Sequence, residues 1–203
     1  MHYTGPKNRL ARRLGVDLGL KGAKGSVKLG RRLTIPPGQH GPKGRRRTTE
    51  FGTQLAEKQK LKFSYNVAEK QLRHYYEKAA KVKGATGEVL LSLLETRLDN
   101  TLYRLGFVPT RSAGRQAISH NHVLVNGKKV NIPSYQVEIG DVLTLSPKGL
   151  NIPSIAQSLK NEDYQPPTWL EKKAAVGKIV AIPKRNDIKT EVNEQLIVEF
   201  YSR

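Results

Sequence analysis

The first fifty residues cannot build a core of their own. They carry 13 Lys or Arg against two acids, Asp17 and Glu50, together with nine Gly, four Pro and only 13 apolar residues. Burial of apolar surface is what offsets the entropy of ordering a chain, and a segment this poor in it and this charged is not expected to order alone. A polyanion would supply the missing counter-charge. Arg9, Arg12 and Arg13, then Lys21, Lys24 and Lys28 among Gly19, Gly22 and Gly25, then Lys43, Arg45, Arg46 and Arg47 suit that role, because cations neutralise phosphates where glycine lets the backbone come close. In free solution the segment is expected to be a disordered basic tail.

Charge falls off steadily along the chain. Residues 51–90 hold eight basic side chains against four acidic, residues 91–150 seven against four and residues 151–203 eight against seven, for a formal total of +19. No run approaches the ~18 apolar residues of a membrane span, and the start Met1-His2-Tyr3-Thr4 lacks a secretory pattern, so a cytoplasmic protein without a membrane partner is expected. Without cysteine there is no disulfide, no thiolate zinc site and no cysteine nucleophile.

Beyond the basic segment the pattern is helical, then β. Gly52 to Phe63 places Lys58 and Lys62 four apart on one face. Asn66 followed by Glu69 reads as a capping box before a stripe of Ala68, Leu72, Tyr75, Tyr76 and Ala79. Leu90, Leu94, Leu98, Leu102 and Leu105 form a third helical pattern, broken once midway and stopped at Gly106; Thr110 caps a fourth that ends near His120. Gly114 inside that fourth helix costs up to about 1 kcal/mol against Ala, or lets a bound polyanion approach the backbone. Two β-prone runs flank Asn126-Gly127, a strong hairpin signal, and Val142 to Leu145 adds a strand. Asn151 to Lys160 reads as a helix, and Lys178 to Ile182 and Gln195 to Phe200 read as strands.

Arg97, Arg104, Arg111 and Arg115 recur at seven, seven and four, followed by Gln116, His120, His122, Asn126 and Lys128. A helix pair and a hairpin can present these together, the guanidinium forks to phosphate and the amides and imidazoles to 2′-hydroxyls and base edges. The plainer alternative is a solvated helix face whose arginines pair weakly with Glu95 and Asp99. With the overall charge, RNA is the favoured partner. A phosphate-binding nucleotide loop is excluded, since no G-x-x-x-x-G-K-[ST] occurs and Gly30 is followed by Arg31 and Arg32. His120 and His122 lack a third metal ligand, and no nucleophile elbow or isolated carboxylate pair suggests catalysis.

Arg97-Leu98-Asp99-Asn100, Tyr103-Arg104-Leu105-Gly106-Phe107, Thr110-Arg111, Arg115-Gln116, His120-Asn121-His122, Val125-Asn126-Gly127 and Ile132-Pro133-Ser134-Tyr135 together resemble the S-four RNA-binding module. Tyr3-Thr4-Gly5-Pro6, Pro37-Gly38-Gln39-His40-Gly41-Pro42, Glu57-Lys58-Gln59-Lys60-Leu61, Pro167-Thr168-Trp169-Leu170 and the run Val192 to Arg203 resemble the rest of the bacterial small-subunit ribosomal protein S-four family. The resemblance spans nearly the whole chain. It implies a structural component of the small ribosomal subunit that binds the 5′ domain of its rRNA early in assembly and has no catalytic residue and no cofactor. It also implies that the stretch matching Lys43, Arg45, Arg46 and Arg47 lies at the mRNA entrance path, and that the protein packs beside ribosomal protein S-five. Lys58, Lys62, Ser134 and Tyr135 join the RNA-binding candidates. Zinc-bearing relatives have four cysteines where this chain has Asn8, Ala11, Gly25 and Gly30, so the cysteine-free form is implied, with no metal.

The expected fold is α+β: a basic arm (1–48), a helical body (49–94) completed by 158–203, and the module (95–157) inserted between them. S-four modules also occur in pseudouridine synthases, whose catalytic loop has an Arg-Leu-Asp run. Here Arg97-Leu98-Asp99 opens the module itself, and 203 residues leave no room for a separate catalytic domain. A free regulatory RNA-binding protein would lack the arm and the tail.

Overall fold

Residues 3–22, 29–44, 47–161 and 164–203 are described in the computed structural model. They fall into two units, Met1–Leu90 with Thr190–Arg203, and Leu91–Lys189. In chain order run helices α1 (Lys7–Leu14), α2 (Glu50–Ser64), α3 (Glu69–Ala80), α4 (Thr86–Glu95), α5 (Leu98–Arg104) and α6 (Arg111–Ser119). Strands β1 (Val123–Val125), β2 (Lys128–Lys129) and β3 (Val142–Leu145) follow, then helices α7 (Pro147–Leu150) and α8 (Pro153–Leu159), strands β4 (Leu170–Lys173) and β5 (Val176–Ile179), and helix α9 (Glu194–Tyr201). The class is α+β.

In the first unit α9 lies along α2. Gln54 donates to Glu199 at 3.1 Å, Asn193 N–H donates to Glu57 at 3.1 Å, and the rings of Phe51 and Phe200 sit 5.6 Å apart. The strand expected at Gln195 to Phe200 is therefore a helix. Its β-branched look is overridden by Asn193, whose side chain accepts from the Gln195 and Leu196 N–H groups, and by the four-residue spacing that sends Ile197 into the core. The capping box expected at Asn66 is also absent. Asn66 has a left-handed φ of 53°, Ala68 is the N-cap of α3, and the Glu69 carboxylate turns to Lys58, Lys62 and Tyr201 instead.

The basic arm holds more local structure than its composition suggests. Leu10, Ala11, Leu18 and Leu29 are buried, and Arg12 donates to the carbonyls of Ile35 and Pro36, both at 2.9 Å. Four apolar side chains and a guanidinium clasp thus stand in for a core.

The second unit is built on one antiparallel sheet of order β2-β1-β3-β5-β4. Residues alternate across it, so Val123, Val125, Leu143, Leu145, Ile179 and Leu170 all face the same core as Leu98, Leu102, Leu105, Phe107 and Ile118. The hairpin turn at Asn126 (φ 50°) and Gly127 (φ 77°) has the two left-handed residues a two-residue turn demands. Segment 158–203 was expected to complete the body as a whole. Instead β5 pairs with β3 and β4 with β5, so these strands extend the module's sheet, and Thr190–Arg203 is the part grouped with residues 1–90.

The midway break in the leucine pattern has a cause distant in sequence. Residues 135–137 run antiparallel to residues 96–98: Leu98 N–H donates to the Tyr135 carbonyl at 2.8 Å and Val137 N–H to that of Thr96 at 2.9 Å. The Thr96 hydroxyl also bonds Gln136 at 2.7 Å. This cross-pairing replaces one turn of helix, and α5 starts afresh at Leu98 with Arg97 as its N-cap.

Candidate nucleic-acid interface

Arg97, Arg104, Arg111 and Arg115 of the second unit gather around two buried carboxylates and the Asn100 amide. Asp99, 2% exposed, accepts from Arg97 Nε at 3.0 Å and Nη2 at 2.7 Å, and from Arg115 Nη2 at 2.9 Å. Glu95, 1% exposed, accepts from Arg104 Nε at 2.9 Å and Nη2 at 2.5 Å, and from Asn100 Nδ2 at 2.6 Å. The Asn100 side-chain Oδ1 accepts from Arg111 Nε at 2.7 Å, while the Arg111 guanidinium lies 4.5 Å from the Tyr103 ring centre. These are fork-on-carboxylate pairs in a site poor in water, where the carboxylates fix the guanidiniums in place.

This differs from the plainer alternative weighed from the sequence, a solvated face with weak pairs. Glu95 and Asp99 are inside, Arg97 is 1% exposed, and Arg111 is 8% exposed. Arg104 and Arg115 are partly open, their side chains 14% and 20% exposed. Counted over these described residues alone, four guanidiniums stand against two carboxylates, a formal excess of two positive charges. The excess attracts an anion at the open side, and the buried pairs hold the donors still for it.

Gly114 belongs to the same arrangement. A Cβ there would stand 2.9 Å from the Asp99 carbonyl oxygen and 3.3 Å from Val108 Cγ2. The expected weak point or RNA approach is therefore a close helix crossing: α6 meets the first turn of α5, which brings Arg115 within reach of Asp99. Gly106, at φ 71°, is stacked against the Tyr164 ring, whose hydroxyl donates to the Arg104 carbonyl at 3.1 Å. Burial pushes the Tyr164 hydroxyl pKa above its ordinary value, so the group stays a donor.

Around this cluster Gln116, His120, Asn126 and Lys128 are exposed, and His122, Ser134 and Tyr135 are half-buried. Asn126 is occupied by the turn, donating to Asp141 at 2.7 Å and accepting from Val142 N–H at 2.9 Å. The Tyr135 carbonyl serves the Leu98 N–H and its ring packs on the core. Gln116, His120 and His122 line a pocket of about 100 Å³ with Ala113, Ala117, Ile152, Ser154 and Ile155. The imidazoles of His120 and His122 meet edge to face at 6.0 Å.

The candidates of the first unit divide in the same way. Arg9, Arg13, Lys43 and Arg47 are exposed, and Arg12 is the clasp described above. Arg45 and Arg46 lie outside the described residues. Lys58 is 5% exposed, 2.8 Å from Glu69 and 4.5 Å above the Phe200 ring; Lys62 reaches Glu69 at 3.1 Å. Partial burial opposes ionisation of Glu69, but hydrogen bonds from Lys58, Tyr201 and Lys62 outweigh it and hold its carboxyl below the ordinary range. These two lysines are tied to the body's own carboxylate.

Sequence reasoning named Glu95 and Asp99 only as weak surface partners and Asn100 only within a motif; it missed that all three are buried, and it gave no role to Ser154, which lines the pocket. The only local trace was the placement of Asp99 and Asn100 between Leu98 and Leu102, where polar groups interrupt a core stripe.

Comparison with known proteins fits this geometry. Residues 2–95 match the family described as ribosomal protein S4/S9 N-terminal domain, and residues 96–143 match the S4 domain. The chain is 47% identical to the small ribosomal subunit protein uS4 of Phocaeicola vulgatus and 48% identical to that of Bacteroides thetaiotaomicron, each over 99% of this chain and 98% of the relative. The uS4 protein of Brevibacillus brevis is 46% identical over the same shares.

Proposed function

Since the chain belongs to the uS4 family of small ribosomal subunit proteins, we propose that it binds the 5′ domain of small-subunit rRNA early in assembly and remains there as a structural, non-catalytic component. The observation that carries the RNA reading is the arginine cluster with its two excess positive charges, held by buried Asp99 and Glu95. Arg104 and Arg115 offer their open edges to phosphate, while Gln116, His120 and Lys128 reach bases, 2′-hydroxyls and neighbouring phosphates. Arg97 and Arg111 act from inside, as positioning residues. Ser134 and Tyr135 border the same surface, and Asn126 sets its hairpin.

The arm has a second role in this reading. Arg9, Arg13, Lys43 and Arg47 supply sequence-independent charge, with Lys43 and the 45–47 run also facing the mRNA entrance path and the body packing beside ribosomal protein S-five. Exposure of Lys43 and Arg47 supports the mRNA contact. Residues 1–48 serve as arm, 49–94 as body and 95–157 as recognition module, with 190–203 closing the body and the strands at 170–179 widening the module's sheet.

The test is binding to a 5′-domain rRNA fragment against an unrelated RNA of equal length across a salt series. Phosphate neutralisation alone gives a steep salt slope for both RNAs. Retention of a cognate advantage as salt rises is the expected result, and parallel weakening of both RNAs would contradict it.

A further inference from the structure

The pocket beside α6 and α8 has walls of two kinds. Gln116, His120, His122 and Ser154 place amide, imidazole and hydroxyl groups at its rim, and the small or branched side chains of Ala117 and Ile155 form its apolar floor. Among the described residues no Lys or Arg lines it, which disfavours a phosphate, and no carboxylate lines it, which disfavours a cation. A flat, uncharged heteroaromatic ring with hydrogen-bonding edges fits both wall types: its face meets the apolar floor and an imidazole, and its edges meet the amide and hydroxyl. Its place matters as well. The pocket is lined by Ala113, Gln116 and Ala117 of α6 and by His120 at its C-cap, and the same helix carries Arg115, one of the two partly open arginines of the cluster.

We propose that this pocket takes one unpaired, unstacked nucleobase of the bound RNA, extruded from its stack and held between the His120–His122 pair and α8. The inference rests on the RNA-binding reading of the module and adds a sequence-reading element to it. Unstacking costs least at a bulge or loop nucleotide, so the base comes from such a position. Ser154 and Ile155, on a helix the sequence did not mark as functional, become part of the recognition surface.

The experiment uses the full-length protein and the 5′-domain rRNA fragment, with abasic replacements scanned through its unpaired nucleotides. Wild type is compared with Ser154→Trp, an exposed rim position where an indole fills the pocket, and with His120→Ala, which removes one wall. One abasic position is expected to weaken wild-type binding by about 5- to 100-fold, the usual worth of a stacked base. Both variants should bind intact RNA more weakly and lose their sensitivity to that replacement. If Ser154→Trp fails to fold, seen by circular dichroism, His120→Ala carries the comparison alone. Equal response of wild type and variants at every abasic position, with the cognate preference intact, would overturn the pocket and leave the RNA-binding reading standing. Loss of any cognate preference by the wild type would overturn both.

Discussion

The arm and the module use the same residue type in opposite ways. In the first fifty residues 13 cations face two acids, and Arg9, Arg13, Lys43 and Arg47 stand in solvent. In the module, arginines are drawn onto Asp99 and Glu95, both almost fully buried, and Arg97 and Arg111 surrender nearly all their exposure. Exposed cations on flexible stems neutralise phosphate wherever it lies, so they give affinity that salt removes. Guanidiniums fixed by buried carboxylates have one orientation, so they favour one arrangement of phosphates. On the proposed function, the arm therefore supplies charge and the module supplies discrimination.

The contrast can be broken most strongly at Asp99. Asp99→Ala leaves Arg97 and Arg115 without their shared carboxylate, and removing one partner of a buried pair costs about 3–5 kcal/mol. Urea denaturation should show that loss; a cost below about 1 kcal/mol would mean the pair is effectively solvated. Gly114→Ala comes next. Helix propensity alone predicts a gain of up to about 1 kcal/mol. The Asp99 carbonyl 2.9 Å from the new Cβ instead forces α5 and α6 apart, for a net loss of about 1–3 kcal/mol in the same assay.

The arm should behave differently. Replacing Arg9, Arg13 and Arg47 together with Gln is expected to leave stability within about 0.5 kcal/mol, as for surface changes generally. It should lower the log-log salt slope of RNA binding by about one for each phosphate that is no longer neutralised. The smallest effect is on pH. Glu69 has a folded pKa below its unfolded value of 4.5, so its contribution is present above that pH and fades as pH falls through the folded value. Stability of the body should decline below about pH 4.5, and Glu69→Gln should flatten that decline.

How much of this was legible in the sequence depends on the range of the forces involved. The leucine stripe from Leu90 to Leu105, the Thr110 cap and the Asn126-Gly127 turn are local signals, and each stands in the structure where spacing and turn chemistry put it. The break at Thr96 was visible, but its cause lies forty residues on, in the pairing with 135–137. The segment 195–200 reads as strand by side-chain type, and only its cap and its packing on α2 make it a helix. Candidate cations were found by type and spacing, which cannot distinguish a guanidinium held inside from one held out. Arg97 and Lys58 turned inward because Asp99 and Glu69 offered buried or half-buried partners. The sheet assignment of β4 and β5 rests on pairing with β3, a non-local contact that no motif announces.

One measurement separates the two roles directly. The arm variant Arg9→Gln, Arg13→Gln, Arg47→Gln and a module variant Gln116→Ala, His120→Ala, Lys128→Gln would be compared with wild type for binding to the 5′-domain fragment and to an unrelated RNA across a salt series. All six positions are exposed, so neither variant disturbs a buried pair. The account predicts that the arm variant loses slope equally on both RNAs and keeps the cognate-to-unrelated ratio, while the module variant loses the ratio with a slope change of about one. An arm variant that erases the ratio, beside a module variant that preserves it, would contradict the division of labour.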